Sequence, residues 1–244
     1  MSILVSGKHP VLHLLKAGRR QVRRLYFSRG LEKTEKLIFE WASKKKVSLQ
    51  ASDPKELNKK VGVGVNHQGF VAEAEEYPYV EIHELVDSKR ILMLDEVQDP
   101  QNVGALCRSA YLFGFDGVIL PEHHAAAVGQ GVCHASVGAV EYLKICRVTN
   151  LSMTIDFLKE KGFWVYGADM EGAKDAAQEG FSDKVVLVLG SEEKGMRRLT
   201  REKCDVIIKV SLFEEAQHQG VDSLNASVAG GILMNEVFKR SIKK

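Results

Sequence analysis

The chain has 244 residues, of which 45% are hydrophobic and 27% charged, and a formal net charge of +2. That suits a globular protein with a sizeable core, built as one large domain or two modest ones. Its longest apolar runs, such as Val185–Leu189, are far too short to cross a bilayer, and the first residues lack the basic-then-apolar layout of a secretory signal, so no membrane span and a cytoplasmic location are expected.

Taken in chain order, residues 11–18 read as a short helix stopped by Gly18. Residues 22–27 read as a strand. Residues 32–45 read as an amphipathic helix with Leu37, Ile38 and Trp41 at helical spacing. Residues 47–49 are a short strand. Asp53 is a plausible N-cap for a helix with Pro54 at its first position, and residues 69–72 are a strand. This front segment is basic. Residues 1–72 hold 15 Lys/Arg against 5 Asp/Glu, whereas residues 73–244 hold 19 against 27. Such asymmetry points the front end at a polyanion, with Lys8, Arg19, Arg20, Arg23 and Arg24 as candidate nucleic-acid contacts. A solubilising surface is the plainer reading of the same charges.

An acidic, proline-bearing stretch then marks a boundary, which divides the chain into residues 1–75, a linker at 76–88 and a second domain at 89–244. Strands are expected at 90–94, 117–120, 163–168, Val185–Leu189 and 206–210. Helices are expected at 102–113, 151–161 and 223–240. Alternating strands and helices imply a mainly parallel sheet covered on both faces. Four cysteines (Cys107, Cys133, Cys146, Cys204) form no C-x-x-C and read as reduced thiols. His123, His124, Cys133 and His134 match no common metal-ligand spacing, so no metal site is expected.

Three motifs in the second domain carry chemistry. In the first, strand 90–94 runs through a polar turn into a helix starting near Asn102, with Arg108 less than two turns on. Read alone, Asn102 is a capping residue and Arg108 a surface charge. In the second, Val185–Leu189 ends at Gly190 and continues Ser191-Glu192-Glu193-Lys194-Gly195. Gly190 would let a flat ligand approach the backbone. Neither G-x-G-x-x-G nor G-x-x-x-x-G-K-[ST] occurs here, which argues against a nucleotide hydrolase or a dehydrogenase. In the third, a strand ending at Val210 leads through a loop to a helix that opens Ser223-Leu224-Asn225-Ala226-Ser227 and continues Ala229-Gly230-Gly231. Its small residues make a thin face, for close passage of another backbone or for packing in a core.

In this order the motifs resemble the SpoU (TrmH-like) branch of the SPOUT methyltransferases, and the likeness runs along essentially the whole chain. Asp99-Pro100-Gln101-Asn102-Val103-Gly104 with Arg108, Leu189-Gly190-Ser191-Glu192 with Gly195, and Ser223-Leu224-Asn225 with Ser227 and Ala229 are similar to the family's three motifs. Gly7-Lys8-His9-Pro10-Val11 and His67-Gln68-Gly69-Phe70-Val71-Ala72 are similar to its front domain. The resemblance implies an α/β architecture: a ribosomal-protein-L30e-like RNA-binding domain ahead of a parallel-sheet domain with a deep trefoil knot, dimerising around the knot. It implies 2′-O-methylation of an RNA ribose from S-adenosylmethionine, without a metal. The RNA is expected to be a large-subunit rRNA guanosine, with tRNA or a non-catalytic RNA-binding role as alternatives. By position, Asn102, Arg108, Glu192 and Asn225 fall on catalytic positions, and Gly167, Leu189, Gly190, Val210, Leu212, Ser223 and Leu224 on cofactor-binding ones. Two departures stand out: Ser211 where the family usually has Pro, and a longer loop at 213–222 containing Glu214, Glu215, His218 and Gly220.

Overall fold

Strand β1 (Ser2–Ser6), unmarked by any sequence signal used above, runs antiparallel to β4 (Phe70–Glu75). The computed structural model describes residues 2–62, 64–170, 174–213 and 223–241. Two units are separable: Met1–Pro78 with Ala127–Tyr142, and Tyr79–Ala126 with Leu143–Lys244. The sequence reading put residues 127–142 in the second domain, but they pack with the first unit.

In the first unit the sheet order is β1-β4-β2-β3, where β2 is Val22–Ser28 and β3 is Ser48–Ser52. β2 runs antiparallel to β4 and parallel to β3. Helix α1 (Lys8–Ala17) stops where Gly18 takes a left-handed conformation (φ 61°) and its N–H bonds Leu14 O. The second helix, α2 (Lys36–Lys44), is shorter than its periodicity suggested. Helix α3 (Pro54–Val61) opens on a reciprocal capping box between Asp53 and Glu56, with Pro54 at the first position. Leu57, Val61, Tyr26 and Val71 form one of its buried clusters.

The returning segment contributes α5 (Gln130–Ala135) and a 3-10 turn (Ala139–Tyr142). Their attachment is polar. Gln130 Nε2 donates to Val61 O at 3.2 Å, and His13 Nδ1 lies 3.0 Å from the Tyr142 hydroxyl. Arg20 is buried against Glu141, its Nε 3.2 Å from Glu141 Oε2, and its other donors reach Glu75 O and Cys133 Sγ. Burial alone would pull the guanidinium's pKa down. The Glu141 hydrogen bond and charge outweigh that and leave it raised.

In the second unit seven strands are all parallel, in the order β7-β6-β5-β10-β8-β11-β9. In chain order they are β5 (Arg90–Leu94), β6 (Gly117–Pro121), β7 (Lys144–Val148), β8 (Trp164–Ala168), β9 (Lys174–Asp175), β10 (Val185–Leu189) and β11 (Val206–Lys209). Every residue of β10 is buried, as its all-Val/Leu sequence requires of a strand flanked on both edges and covered on both faces. Ile91, Met93, Val186, Val188, Ile155 and Leu158 pack in one cluster with Phe163 and Val165. Among the described residues the unit also contains the α-helices α4 (Pro100–Leu112), α6 (Leu151–Glu160), α7 (Arg198–Lys203) and α8 (Ala226–Ser241). Because β5, β8, β10 and β11 point the same way, the residues after Leu94, Ala168, Leu189 and Lys209 emerge on one edge, where ligands of parallel sheets bind.

Candidate active site

Asp95, directly after β5, is an acidic residue that is fully buried. Its N–H bonds Leu189 O at 2.8 Å, and its carboxylate accepts from Arg197 N (2.9 Å) and Arg197 Nε (2.7 Å). A buried carboxylate needs such partners. Together these bonds hold the end of β10 and the far end of the loop that follows it. Within that loop Ser191 and Gly195 exchange backbone hydrogen bonds at 2.9 and 3.1 Å. The loop therefore doubles back on Gly190. A Cβ there would lie 2.1 Å from Gly195 C and 2.2 Å from Met196 N. Gly190 is thus demanded by the loop doubling back on it, a reason separate from the close approach of a flat ligand that the sequence suggests.

The N-cap of α4 is Asp99, whose Oδ1 accepts from Gln101 N at 3.0 Å; Asn102 is not the cap. Its Oδ1 accepts instead from Asn225 Nδ2 at 3.0 Å. The same Asn225 amide donates to Glu192 Oε2 at 2.9 Å. Asn225 Oδ1 accepts from Ser227 N (3.0 Å) and Ser227 Oγ (2.6 Å), so it sits at the start of α8 as a capping residue. Both amide hydrogens and the amide oxygen are used, which fixes the side chain's orientation. One residue of each motif meets at this amide.

Beside it lies a cavity of about 420 Å³. Leu189, Gly190, Val210, Ser223 and Leu224, candidate cofactor residues of the sequence, line it, and so does Glu192. Ile208, Ala229 and Leu233 supply apolar surface, while Asp169 and Lys209 add charge. Asp169 is held by Arg201 Nε at 2.7 Å. A second cavity of about 530 Å³, lined by Glu96, Asp99 and Asn102, shares Ser191, Glu192, Lys194 and Ala226 with the first. Two adjoining chambers with one carboxylate in the wall of both can hold a donor and an acceptor side by side.

The profile of the SpoU rRNA Methylase family matches residues 89–235 of this chain, which carry every residue of that wall. The chain belongs to this family. Residues 4–80 match the substrate-binding domain of RNA 2′-O ribose methyltransferases. A Bacillus subtilis protein assigned to the TrmH family of tRNA/rRNA methyltransferases, YacO, is 36% identical over 97% of this chain and 95% of its own length. A Staphylococcus haemolyticus protein assigned to the same family is 33% identical over 98% and 96%. The fold is shared with the SpoU methyltransferase AviRb of Streptomyces viridochromogenes, solved with AdoMet (TM-score 0.82, 24% identity, 100% of this chain and 92% of that one). An AdoMet-bound rRNA methyltransferase of Sinorhizobium meliloti is similar at TM-score 0.81 and 22% identity, over 99% and 88%. The chain is an RNA methyltransferase of the SpoU/TrmH family.

Several expected site residues of this SpoU-family chain lie elsewhere. Gly167 is not in the lining; a Cβ on it would meet Cys204 Sγ at 2.7 Å and Met196 Cε at 2.8 Å, so it faces packed side chains. Leu212 is also outside the described lining. Arg108 is exposed on α4 and lines neither chamber. Arg20, expected to meet RNA, is buried on Glu141 and is withdrawn from that surface. Lys8 pairs with Glu35 at 2.8 Å and Arg19 NH1 donates to the Tyr77 hydroxyl at 3.1 Å. Arg23 and Arg24 are exposed, with Arg24 NH1 3.2 Å from Gln50 Oε1.

The thin face of α8 packs within the chain, since a Cβ on Gly230 would meet Leu106 Cδ2 at 2.4 Å and Leu189 Cδ1 at 2.6 Å. Ser211, standing where the family usually has Pro, donates its hydroxyl to Asp175. That bond, with the Ala177 N–H, holds the Asp175 carboxyl below the usual carboxylate range. Glu214, Glu215, His218 and Gly220 lie outside the described residues. Asp95, Asp169 and Lys194 were not anticipated. The signal for Asp95 was an acid placed directly after an all-apolar strand end.

Proposed function

We propose that this chain methylates a ribose 2′-oxygen of RNA, with S-adenosylmethionine in the 420 Å³ chamber and the target nucleotide in its neighbour. The observation that carries this reading is the Asn225 amide, which ties Asn102 and Glu192 together where the chambers join. The chamber's volume falls in the range of small-molecule sites, about 300–1,000 Å³, and its mix of apolar wall and few polar groups suits an adenosine with a charged tail. Leu189, Gly190, Val210 and Leu224 would hold the nucleoside. The AdoMet found in the similarly folded Streptomyces and Sinorhizobium enzymes supports the choice. When bound, that group supplies an activated methyl on a sulfonium.

The chain's own residues then provide alignment and charge placement. Glu192 Oε2 is engaged by Asn225, which leaves the carboxylate turned so that it can accept a hydrogen bond from the ribose hydroxyl. Arg108 holds the adjacent phosphate, for which the planar guanidinium with its fork of N–H donors is suited. Exposed Tyr111 and Leu112 on α4 and Val228 and Ile232 on α8 support a homodimer through this unit. A trefoil knot around the loops after β10 and β11, and rRNA rather than tRNA as substrate, complete the reading. Calorimetry with S-adenosylmethionine, followed by mapping of 2′-O-methyls in total RNA with and without the protein, tests it. A chain that binds no S-adenosylmethionine would be a non-catalytic RNA-binding member of the fold.

A further inference from the structure

A third cavity, about 350 Å³, opens at the other end of the parallel sheet and is lined by Lys89, Arg90, Phe181, Ser182, Asp183, Val237 and Arg240. Lys89 and Arg90 stand at the start of β5, and Asp183 lies two residues before β10. The strands between this edge and the cofactor edge are five residues long, so about 16 Å separates the two at ~3.3 Å per residue. Helix α8 links them: its start (Ala226, Ala229, Leu233) lines the cofactor chamber, and its end (Val237, Arg240) lines this one.

The charges here are unlike those around them. Residues 73–244 carry an acidic excess, yet three of the seven lining residues are cations and one is an acid. Arg90 NH1 donates to Gly114 O at 3.0 Å and Arg240 NH2 to Ala177 O at 2.6 Å. Those partners are neutral carbonyls. They orient the guanidinium groups without cancelling their charge, and each keeps further N–H donors. Asp116, the nearby carboxylate, accepts from the backbone N–H groups of Lys89 and Arg90 at 2.7 and 3.2 Å. No ion pair among the described residues includes the Lys89, Arg90 or Arg240 side chain. Buried Phe181 and Val237 give the cavity an apolar floor. Guanidinium groups oriented by neutral carbonyls in a concave site are an arrangement that recognises phosphate.

We propose that this cavity is a phosphate site that grips the RNA backbone several nucleotides away from the reacting one, a second anchor on the catalytic unit itself. Helix α8, about 24 Å long at ~1.5 Å per residue, would correspond to about seven phosphates of a stacked strand at ~3.4 Å each. The proposal rests on the RNA-methyltransferase reading for its ligand but not on the identity of the cofactor.

The test uses the full chain and Lys89→Gln, Arg240→Gln and the double variant. Lys89→Gln removes no side-chain hydrogen bond, which guards against misfolding in the arginine variant. The probe is a labelled single-stranded RNA of about 20 nucleotides, titrated over a range of salt, with inorganic phosphate in a parallel titration and S-adenosylmethionine affinity as the control. Removing one phosphate contact is expected to flatten the log Kd against log salt slope by about 0.7, and the double variant by about 1.4, with roughly tenfold weaker RNA binding at low salt. Cofactor affinity stays unchanged. If RNA binding holds but wild-type phosphate binding is lost in the variants, the site takes a free phosphate, and the backbone assignment falls. Unchanged slopes and unchanged phosphate binding overturn the site altogether. Absence of RNA binding by the wild type would instead sink the proposed function.

Discussion

The Asn225 amide stands 2.9 Å from Glu192 and 3.0 Å from Asn102, residues 33 and 123 positions away in the sequence. It also caps α8 through Ser227. Asn225→Ala is therefore expected to do two separable things. Loss of the cap costs about 1 kcal/mol in urea unfolding. Release of Glu192 and Asn102 lowers kcat/KM by about tenfold to hundredfold, because small displacements at a reacting centre cost that much. A variant that loses stability but keeps full turnover would leave the amide with a structural role only.

Gly190→Ala places a methyl where Gly195 and Met196 backbone already lies. The loop must move, at a cost of about 3 kcal/mol. Cofactor binding measured by calorimetry should fall with it, and a variant that binds with wild-type affinity would show that the crossing can relax.

Arg108→Ala is expected to lower single-turnover methyl transfer by about 10²–10³-fold and leave S-adenosylmethionine affinity within about twofold, since the exposed arginine lines neither chamber. The reverse pattern, weakened cofactor and intact chemistry, would remove Arg108 from the reaction.

Arg20→Ala leaves Glu141 buried without its partner and should destabilise the protein by about 3–5 kcal/mol. The paired change Arg20→Met with Glu141→Leu should recover much of that loss. Arg23→Gln with Arg24→Gln should do the opposite: no change in melting, and an RNA salt slope flatter by about 1.4.

Burial pushes the Cys133 and Cys146 thiols up to about 11 and the Cys204 thiol to about 12. In the unfolded chain they ionise near the ordinary value of 9.0. Between those values the folded state binds more protons, so stability is intact below about pH 9 and declines as pH rises toward 11 and 12. Urea midpoints measured from pH 8 to 11 check this. The same thiols should resist alkylation at pH 8 until the protein unfolds.

Much of the second unit was legible because its strands are short apolar runs and its loops carry glycine and polar residues at strand ends. Val185–Leu189 reads as a doubly covered strand, and it is one. The convergence of Asn102, Glu192 and Asn225 could be anticipated only by likeness, since nothing local says that loops this far apart in sequence meet. Asp99 and Asn102 are both good caps, and only the competition for Asn225 explains which one caps α4. Arg20 looked like its neighbours Arg19, Arg23 and Arg24 because burial is a property of what arrives later in the chain. Residues 127–142 have little periodicity to announce them. They fold by what they are attached to: Ser6, His13, Arg20 and Val61.

That late attachment constrains how the front unit can come into being. Its sheet is complete by residue 75, but the carboxylate for Arg20 is encoded at position 141, after two strands of the other unit. On a ribosome, the nascent front unit must hold an uncompensated guanidinium until that stretch emerges. A fragment ending near residue 80, although it spans the whole region matched by the substrate-binding family, is expected to be loosely folded or insoluble. Excising the front unit for separate study calls for grafting residues 127–142 onto it.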